Sequence, residues 1–503
     1  MVSKIETATV WGLNVLPVEV EVDITSGGLP TFTIVGLPDK AVEESKERVK
    51  ASLKNIDAEF PLKKIIVNLA PSDIPKEGTQ YDFPIAVGIL LASNQMNFDS
   101  SLSLFAGELA LTGKLRPISG VLPMALFAKE KKYSSFYIPA ENASEAALVK
   151  DVPIYPLDSL LDFFLLARGD KEAEPLQYTP VAADENQAEI DFSDIVGQEQ
   201  AKRALLIAVA GGHNVFLSGP PGAGKTMLAK ATISLLPPLS EEEVVEVTKI
   251  YSITGRLSDK TPFISSRPFR APHHSASAVG ILGGGKRILP GEISLAHRGV
   301  LFMDEIPEFQ RSVLESLRQP LENGSITVSR AAGSVDYPAR FTFIAASNPC
   351  PCGYYGSQQK PCRCSMNDVL RYQKKLSGPI LDRIDLFVDV PHVPVEKLVK
   401  HKKENTLSKQ RALVHHARKI QQKRFRGTPF ATNSEISQKF LRTYCELEKN
   451  AETLLTQAAE RLRLSARSFY RTIKVARTIA DLDDSDVIKI AHVAEALQYR
   501  KLE

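Results

Sequence analysis

Gly219-Pro220-Pro221-Gly222-Ala223-Gly224-Lys225-Thr226 decides the reading of this chain, because it satisfies G-x-x-x-x-G-K-[ST] at every position. An apolar run, Val215-Phe216-Leu217, precedes it, and a helix-like segment from Met227 to Leu236 follows. A phosphate cradle requires that strand–loop–helix setting. Glycines let backbone N–H groups turn toward phosphate, Lys225 reaches the β and γ oxygens, and Thr226 holds Mg²⁺. The eight residues therefore predict a nucleoside triphosphate site.

Val300-Leu301-Phe302-Met303-Asp304-Glu305 supplies what hydrolysis needs: an apolar strand that ends in two carboxylates. Asp304 is placed to order the Mg²⁺ shell and Glu305 to polarise the attacking water, since phosphoryl transfer depends on positioning and charge neutralisation. Two solvated acids at a strand end would look the same in isolation. The interval of about 80 residues from the phosphate loop suits an α/β nucleotidase.

The chain's 503 residues are enough for two to four domains with their own cores. Hydrophobic residues at 43% and charged residues at 24% describe a soluble globular protein. The net charge of +3 is too small to define a partner, so any polyanion contact must come from local clusters. Met1-Val2-Ser3-Lys4-Ile5-Glu6 lacks the features of a signal peptide, and no apolar window is long enough to span a membrane. With few cysteines, these features predict a cytoplasmic protein.

Composition divides the chain. Residues 1–170 carry β-type runs such as Val18-Glu19-Val20-Glu21-Val22 and Phe32-Thr33-Ile34-Val35, with helical stretches at Ala41–Asn55 and Phe83–Leu91. The acidic, proline-containing stretch 171–190 reads as a linker. Strands and helices alternate in a doubly wound α/β pattern over 191–392, and 393–503 reads as almost wholly helical.

The central region resembles the magnesium-chelatase-like AAA+ ATPases, and the whole chain resembles the ComM/YifB competence-protein family. The resemblance rests on five features: Asp194-Ile195-Val196-Gly197-Gln198, the phosphate loop, Arg267-Pro268-Phe269-Arg270-Ala271-Pro272-His273-His274, the run Pro290 to His297, and Gly378-Pro379-Ile380-Leu381-Asp382-Arg383-Ile384-Asp385. It implies an AAA+ core with a C-terminal helical lid, in a hexameric ring that hydrolyses ATP between subunits. It further implies a motor that moves DNA through the ring, as in branch migration of recombination intermediates. A magnesium-chelatase-like motor that remodels a protein partner without DNA is the alternative.

The resemblance also implies roles for single residues. Asn348, after the buried run Phe341 to Ala346, matches the sensor asparagine that holds the attacking water beside Glu305; capping a turn before Pro349 is its simpler use. Arg383 matches the arginine finger that reaches a neighbour's γ-phosphate, although Asp-Arg-Ile-Asp also reads as a surface ion-pair cluster. Arg467 matches the second sensor, contacting γ-phosphate in the same subunit. His273 and His274 read as structural histidines, with coupling to Glu305 as the sharper alternative.

Two insertions suggest what a ring would grip. Gly283-Gly284-Gly285 beside Lys286 and Arg287 makes a basic tip, predicted to be mobile, and Ser325 to Asp336 reads as a hairpin with Arg330 by its turn. Taken alone they are ordinary surface loops; with the resemblance they are expected to face a pore and meet DNA phosphates. A third basic region runs over 397–426: Lys397, Lys400, Lys402, Lys403, Lys409, Arg411, Arg418, Lys419, Lys423, Arg424 and Arg426, against Glu404 as its only acid. It reads as a charged helical face suited to nucleic acid.

Cys350-Pro351-Cys352 and Cys362-Arg363-Cys364 are separated by nine residues, and Cys445 stands elsewhere. Four thiolates on a short loop suit tetrahedral Zn²⁺, although C-x-C is tighter than the usual ligand spacing. Reduced thiols and a redox pair remain the other readings.

In the N-terminal region, Pro75 to Gln80, Gly107 to Lys114 and Pro139 to Asn142 resemble the protease domain of Lon, a ribosomal-S5-like α+β fold. That resemblance puts Gln80 and Leu122 where the fold has its serine and lysine, and neither can act as nucleophile or base. Ser72 and Lys76 are close in sequence but would need a different geometry. The region is therefore expected to be non-proteolytic, serving assembly or the handling of DNA and partners.

Overall fold

The computed structural model describes residues 2–26, 29–180, 189–258, 260–330, 333–357, 360–376, 378–394, 396 and 406–500. The chain forms two compact units, Met1–Ala182 with Glu241–Ile264, and Ala183–Ser240 with Ser265–Glu503.

The first unit is built on β1 (Val2–Trp11), β2 (Asn14–Thr25), β3 (Thr31–Val35), β4 (Lys64–Ala70) and β5 (Ser103–Phe105). A short ribbon, β6 (Glu108–Leu109) with β7 (Leu115–Arg116), precedes β8 (Ser135–Pro139) and β9 (Ile154–Leu157). The mixed sheet has the order β3-β4-β2-β1-β5-β8-β9. Alternation puts Val18, Val20 and Val22 of β2 inside with Ile65, Val67 and Leu69 of β4. Each such burial stabilises by about 1.5–3 kcal/mol. The opposite face leaves Glu19 and Glu21 to Lys4, at 2.9 and 3.2 Å.

Helix Lys40–Asn55 starts at Asp39, whose side chain accepts the Val42 N–H at 2.9 Å. Its Arg48 donates to both carboxylate oxygens of Asp82, at 2.6 and 3.0 Å, on the buried helix Asp82–Ala92. Burial pushes the Asp82 carboxyl up to about 6. Gln80 donates its side-chain amide to the Glu77 carbonyl at 3.0 Å. Leu122 is fully buried, and its N–H meets the Glu145 carboxylate at 2.8 Å. Ser72 is exposed, whereas Lys76 is buried and donates to the Pro71 carbonyl.

One element departs from the sequence division at 191. Helix Glu241–Ile253, which follows the phosphate loop in sequence, belongs to the first unit. Its Ser252 accepts the Gly120 N–H at 3.2 Å through the backbone and donates its hydroxyl to Glu145. Burial raises the Glu145 carboxyl above its usual range.

The second unit carries β10 (Val215–Ser218), β11 (Phe269–Arg270), hairpin β12 (Gly283–Gly284)–β13 (Leu289–Pro290) and β14 (Val300–Met303). Hairpin β15 (Ser325–Arg330)–β16 (Gly333–Pro338), β17 (Thr342–Ser347) and β18 (Leu386–Asp389) follow. Five of these strands form a parallel sheet in the order β11-β14-β17-β10-β18, with Val215 opposite both Ile344 and Leu386. Every residue of β14 and β17 is buried, as strands covered on both faces demand. The predicted helix after the phosphate loop runs Lys225–Ala231 and tightens to 3₁₀ over Thr232–Leu235.

Helices Leu407–Arg424, Lys449–Arg461, Ala466–Leu482 and Ile490–Gln498 close this unit. Their Val414, Val475, Ile479 and Val493 share one apolar core with Val215, Ile344 and Leu386 of the sheet. Among the described residues beyond 393, strand pairing is limited to the single bridge between Leu447 and Ile488.

Candidate nucleotide site and its surroundings

β14, β17 and β10 are neighbours in the parallel sheet, so their carboxyl ends deliver residues far apart in sequence to one place. Gly219 leaves β10 so close to β18 that a Cβ there would lie 2.2 Å from the Val390 carbonyl oxygen. Lys225 follows at the helix start, with its side chain buried. Its ammonium donates to the carbonyls of Gly219 at 2.7 Å and Pro220 at 3.0 Å, and to the Asn348 side chain at 3.1 Å. Burial lowers the Lys225 pKa, against the opposing pull of Asp304 and Glu305.

Thr226 donates its hydroxyl to Asp304 at 2.9 Å, and the other oxygen of Asp304 accepts the Glu305 N–H at 2.9 Å. Glu305 sits at φ 49°, a left-handed conformation uncommon for a side chain of this kind and frequent at functional sites. A hydroxyl beside a carboxylate is a hard oxygen pair, which fits Mg²⁺. The predicted residues of the phosphate loop (Gly219, Pro220, Pro221, Gly222, Ala223, Gly224, Lys225, Thr226), Asp304, Glu305 and Asn348 thus gather at one sheet end. Gln198 joins them, donating to the Ala223 carbonyl at 3.2 Å.

His274 belongs there too. Its Nδ1 lies 3.7 Å from a carboxylate oxygen of Glu305, the contact that the coupling reading requires. Arg270 of the same run pairs with Glu292 of the Pro290–His297 run, at 2.5 and 2.7 Å, so two of the sequence motifs lock together.

Arg383 and Arg467 occupy a second focus. Arg383 is buried, donates to Glu322 and to the Pro379 carbonyl, and has its pKa lowered by that burial. The pair joins a buried guanidinium to an exposed carboxylate, so the surface ion-pair reading holds for Glu322 and not for Arg383. The neighbouring Asp385 anchors the segment, taking Arg471 at 2.5 Å and the Asn214 N–H at 2.9 Å. The guanidinium of Arg467 lies 3.9 Å from the same Glu322 carboxylate.

Residues 191–398 match the family model for magnesium chelatase, subunit ChlI, and residues 20–142 and 404–500 match those for subunit ChlI of Mg-chelatase and the ChlI C-terminal region. The chain is 43% identical over 499 residues to competence protein ComM of Haemophilus influenzae, covering 98% of this chain and 96% of that one. Against YifB of Escherichia coli it is 41% identical over 505 residues, covering 100% and 97%. The chain belongs to the ComM/YifB family. Similarity to magnesium-chelatase subunit ChlI of Euglena gracilis is narrower, 28% over 183 residues and 31% of this chain. Membership in this magnesium-chelatase-like AAA+ family makes the protein an ATPase that uses ATP with Mg²⁺. No helix among the described residues is long and apolar enough to cross a membrane.

In this family member the two basic insertions meet. The base of the glycine-rich tip is a short hairpin, β12–β13, in which buried Gly283 and Gly284 pair with Pro290 and Leu289, while Gly285, Lys286 and Arg287 form its exposed turn. The Arg330 guanidinium from β15 lies over Gly284, where a Cβ would approach its Nη2 to 2.5 Å. Lys286, Arg287 and Arg330 are exposed on these adjoining tips.

The third basic region differs from its predicted character. Lys397, Lys400, Lys402 and Lys403, with Glu404, lie outside the described residues. On helix Leu407–Arg424, Arg411 and Arg418 donate to the carbonyls of Ser234 and Val209, and Arg424 pairs with buried Asp481 at 2.5 Å. These arginines anchor the helix to the core, leaving Lys409, Lys419, Lys423 and Arg426 exposed. The one-sided charged face is therefore partly an internal tether.

The four cysteines converge as a cluster whose sulfurs all lie within 4.8 Å of one another. Cys350, Cys352 and Cys362 are separated by 3.4, 3.7 and 3.5 Å. A tetrahedron with Zn–S bonds of about 2.3 Å has edges of about 3.8 Å, whereas a disulfide needs about 2.05 Å, so the spacing fits a metal-binding set. Backbone N–H groups of Arg363 and Tyr354 hold the Cys352 thiol down to about 6. The loop also touches the phosphate cradle: Gly353, at φ +84°, lies where a Cβ would come 2.5 Å from Cδ of Pro221.

Proposed function

We propose that this chain is an ATP-driven DNA motor, a helicase or translocase that remodels branched recombination intermediates from a hexameric ring in the cytoplasm. The meeting of Arg330 with the Gly284–Arg287 tip carries the reading, because it builds one small basic surface from two separated insertions. Such a surface suits backbone phosphates and needs no base readout. The similarity to a relative named as a competence protein supports a place in natural transformation.

In this reading the phosphate loop and Lys225 bind the triphosphate, and Glu305 takes a proton from the attacking water while Asn348 orients it. Thr226 and Asp304 hold Mg²⁺, which when bound neutralises charge on the β and γ phosphates. Arg383 leaves Glu322 to reach the γ-phosphate of an adjoining subunit. Cys350, Cys352, Cys362 and Cys364 hold a structural Zn²⁺. The N-terminal unit, Lon-like in ancestry and without a Ser–Lys dyad, serves assembly or partner handling.

The test is ATP hydrolysis by the full chain with and without a synthetic four-way DNA junction, scoring junction dissociation and using Glu305→Gln as control. Turnover stimulated by the junction, with dissociation lost in the control, supports the motor. Turnover indifferent to DNA sinks it and turns attention to a protein-remodelling ATPase of the chelatase type.

A further inference from the structure

A cavity of about 560 Å³ beside the nucleotide site is lined by Glu305 and Asn348 together with Arg363 and Cys364 of the cysteine loop. Two other cations line it, and both have neighbouring acids. Lys375 donates to both carboxylate oxygens of Glu308 at 3.0 Å, and Arg371 lies in the field of Asp368. Arg363 is exposed, and among the described residues its guanidinium has no hydrogen-bond or ion-pair partner. An unengaged guanidinium on the wall that holds Glu305 and Asn348 is a ready anion ligand, with donors that match phosphate oxygens.

The backbone under Arg363 is tightly specified. It lies between Cys362 and Cys364, and its N–H donates to the Cys352 sulfur. At the other end of the loop Gly353 packs on Pro221 of the phosphate cradle. The four sulfurs thus brace a loop that touches the cradle at one end and carries a cation to the cavity at the other.

We propose that Arg363 is a ligand for the terminal phosphate of bound ATP, set in position by a metal–thiolate cluster of the four cysteines. The proposal deepens the ATPase reading of this site and rests on it. It assigns the cysteine loop a role in distinguishing ATP from ADP, because only ATP presents a phosphate beyond the β position.

The experiment measures ATP and ADP affinities of the full chain in a Glu305→Gln background, with metal content by mass spectrometry. Arg363→Ala is expected to lose about tenfold or more in ATP affinity, to hold ADP affinity within about twofold, and to keep its metal. Arg363→Lys recovers part of the loss. Cys362→Ser with Cys364→Ser loses the metal and the same ATP preference. An unchanged ATP-to-ADP ratio in Arg363→Ala, or equal loss of both nucleotides, overturns the proposal, and a metal-free parent overturns the role of the cluster. Lys225→Ala separates the two levels. If it loses both nucleotides while Arg363→Ala keeps its ratio, only the Arg363 assignment falls; if it keeps both, the phosphate-loop reading falls as well.

Discussion

Arg383 and Arg467 converge on one carboxylate, that of Glu322, although 84 positions separate them in sequence (467 − 383). The sequence resemblance assigns Arg383 to a neighbour's nucleotide and Arg467 to its own. Their shared partner argues instead for a common face.

Mixing experiments separate these assignments. Arg383→Ala alone is expected to lower turnover by about 10³–10⁵, as loss of an arginine finger does. Mixed with Glu305→Gln it regains activity, because one interface then holds an intact glutamate and an intact finger. Arg467→Ala, mixed the same way, is expected to be rescued as well. No rescue for Arg467→Ala, with rescue for Arg383→Ala, would place Arg467 in its own subunit's site.

Lys225 and Glu305 should fail in different ways. Lys225 is buried against Gly219, Pro220 and Asn348, so Lys225→Ala removes a cation from the cradle and weakens binding of ATP and ADP by at least about tenfold. Glu305→Gln retains nucleotide and stops turnover. Asn348→Ala is expected to reduce kcat by about 10²–10³, by analogy with losing one oriented polar group from an active site. Equilibrium binding with a fluorescent nucleotide, beside steady-state hydrolysis, checks all three, and near-normal turnover in Glu305→Gln would overturn its assignment as base.

The joined basic tips predict a uniform loss of DNA affinity. Arg330→Ala, and Lys286→Ala with Arg287→Ala, should weaken junction binding across sequences, with the salt slope falling by about one for each phosphate contact removed. Titrations at several salt concentrations read this directly. A change confined to one DNA sequence would point away from phosphate contacts.

In the N-terminal unit, Asp82→Ala leaves Arg48 without its bidentate partner inside the fold. Breaking such a pair is expected to destabilise the unit by about 3–5 kcal/mol. Denaturant unfolding of the full chain should show a transition shifted to lower concentration. An unshifted transition would mean that water replaces the carboxylate at no cost.

Much of the nucleotide site was legible before folding because its chemistry is local. A phosphate loop needs glycines, lysine and threonine at consecutive positions, and Asp304-Glu305 needs only an apolar strand before it. His274 beside Glu305 was harder to read, since its role depends on where the segment after β11 passes the end of β14. The same holds for Arg411, Arg418 and Arg424, whose charges looked solvent-directed until the core of the C-terminal helices brought Ser234, Val209 and Asp481 to meet them. Composition gave no sign that two of the three glycines pair with Leu289 and Pro290, because that partner strand follows the turn and carries no β-type run.

By itself the sequence determined a phosphate loop in an α/β ATPase core, a strand ending in the carboxylates of Asp304 and Glu305, two C-x-C pairs, and glutamine and leucine at Gln80 and Leu122. Each is a matter of residue type and short spacing, which local geometry converts directly into chemistry. Tertiary structure alone decided that Arg383 and Arg467 share Glu322, that Arg330 lies on Gly284, and that Arg363 reaches the cavity of Glu305 and Asn348. Those pairings join segments tens of residues apart, and only strand order and core packing bring such segments within reach of one another.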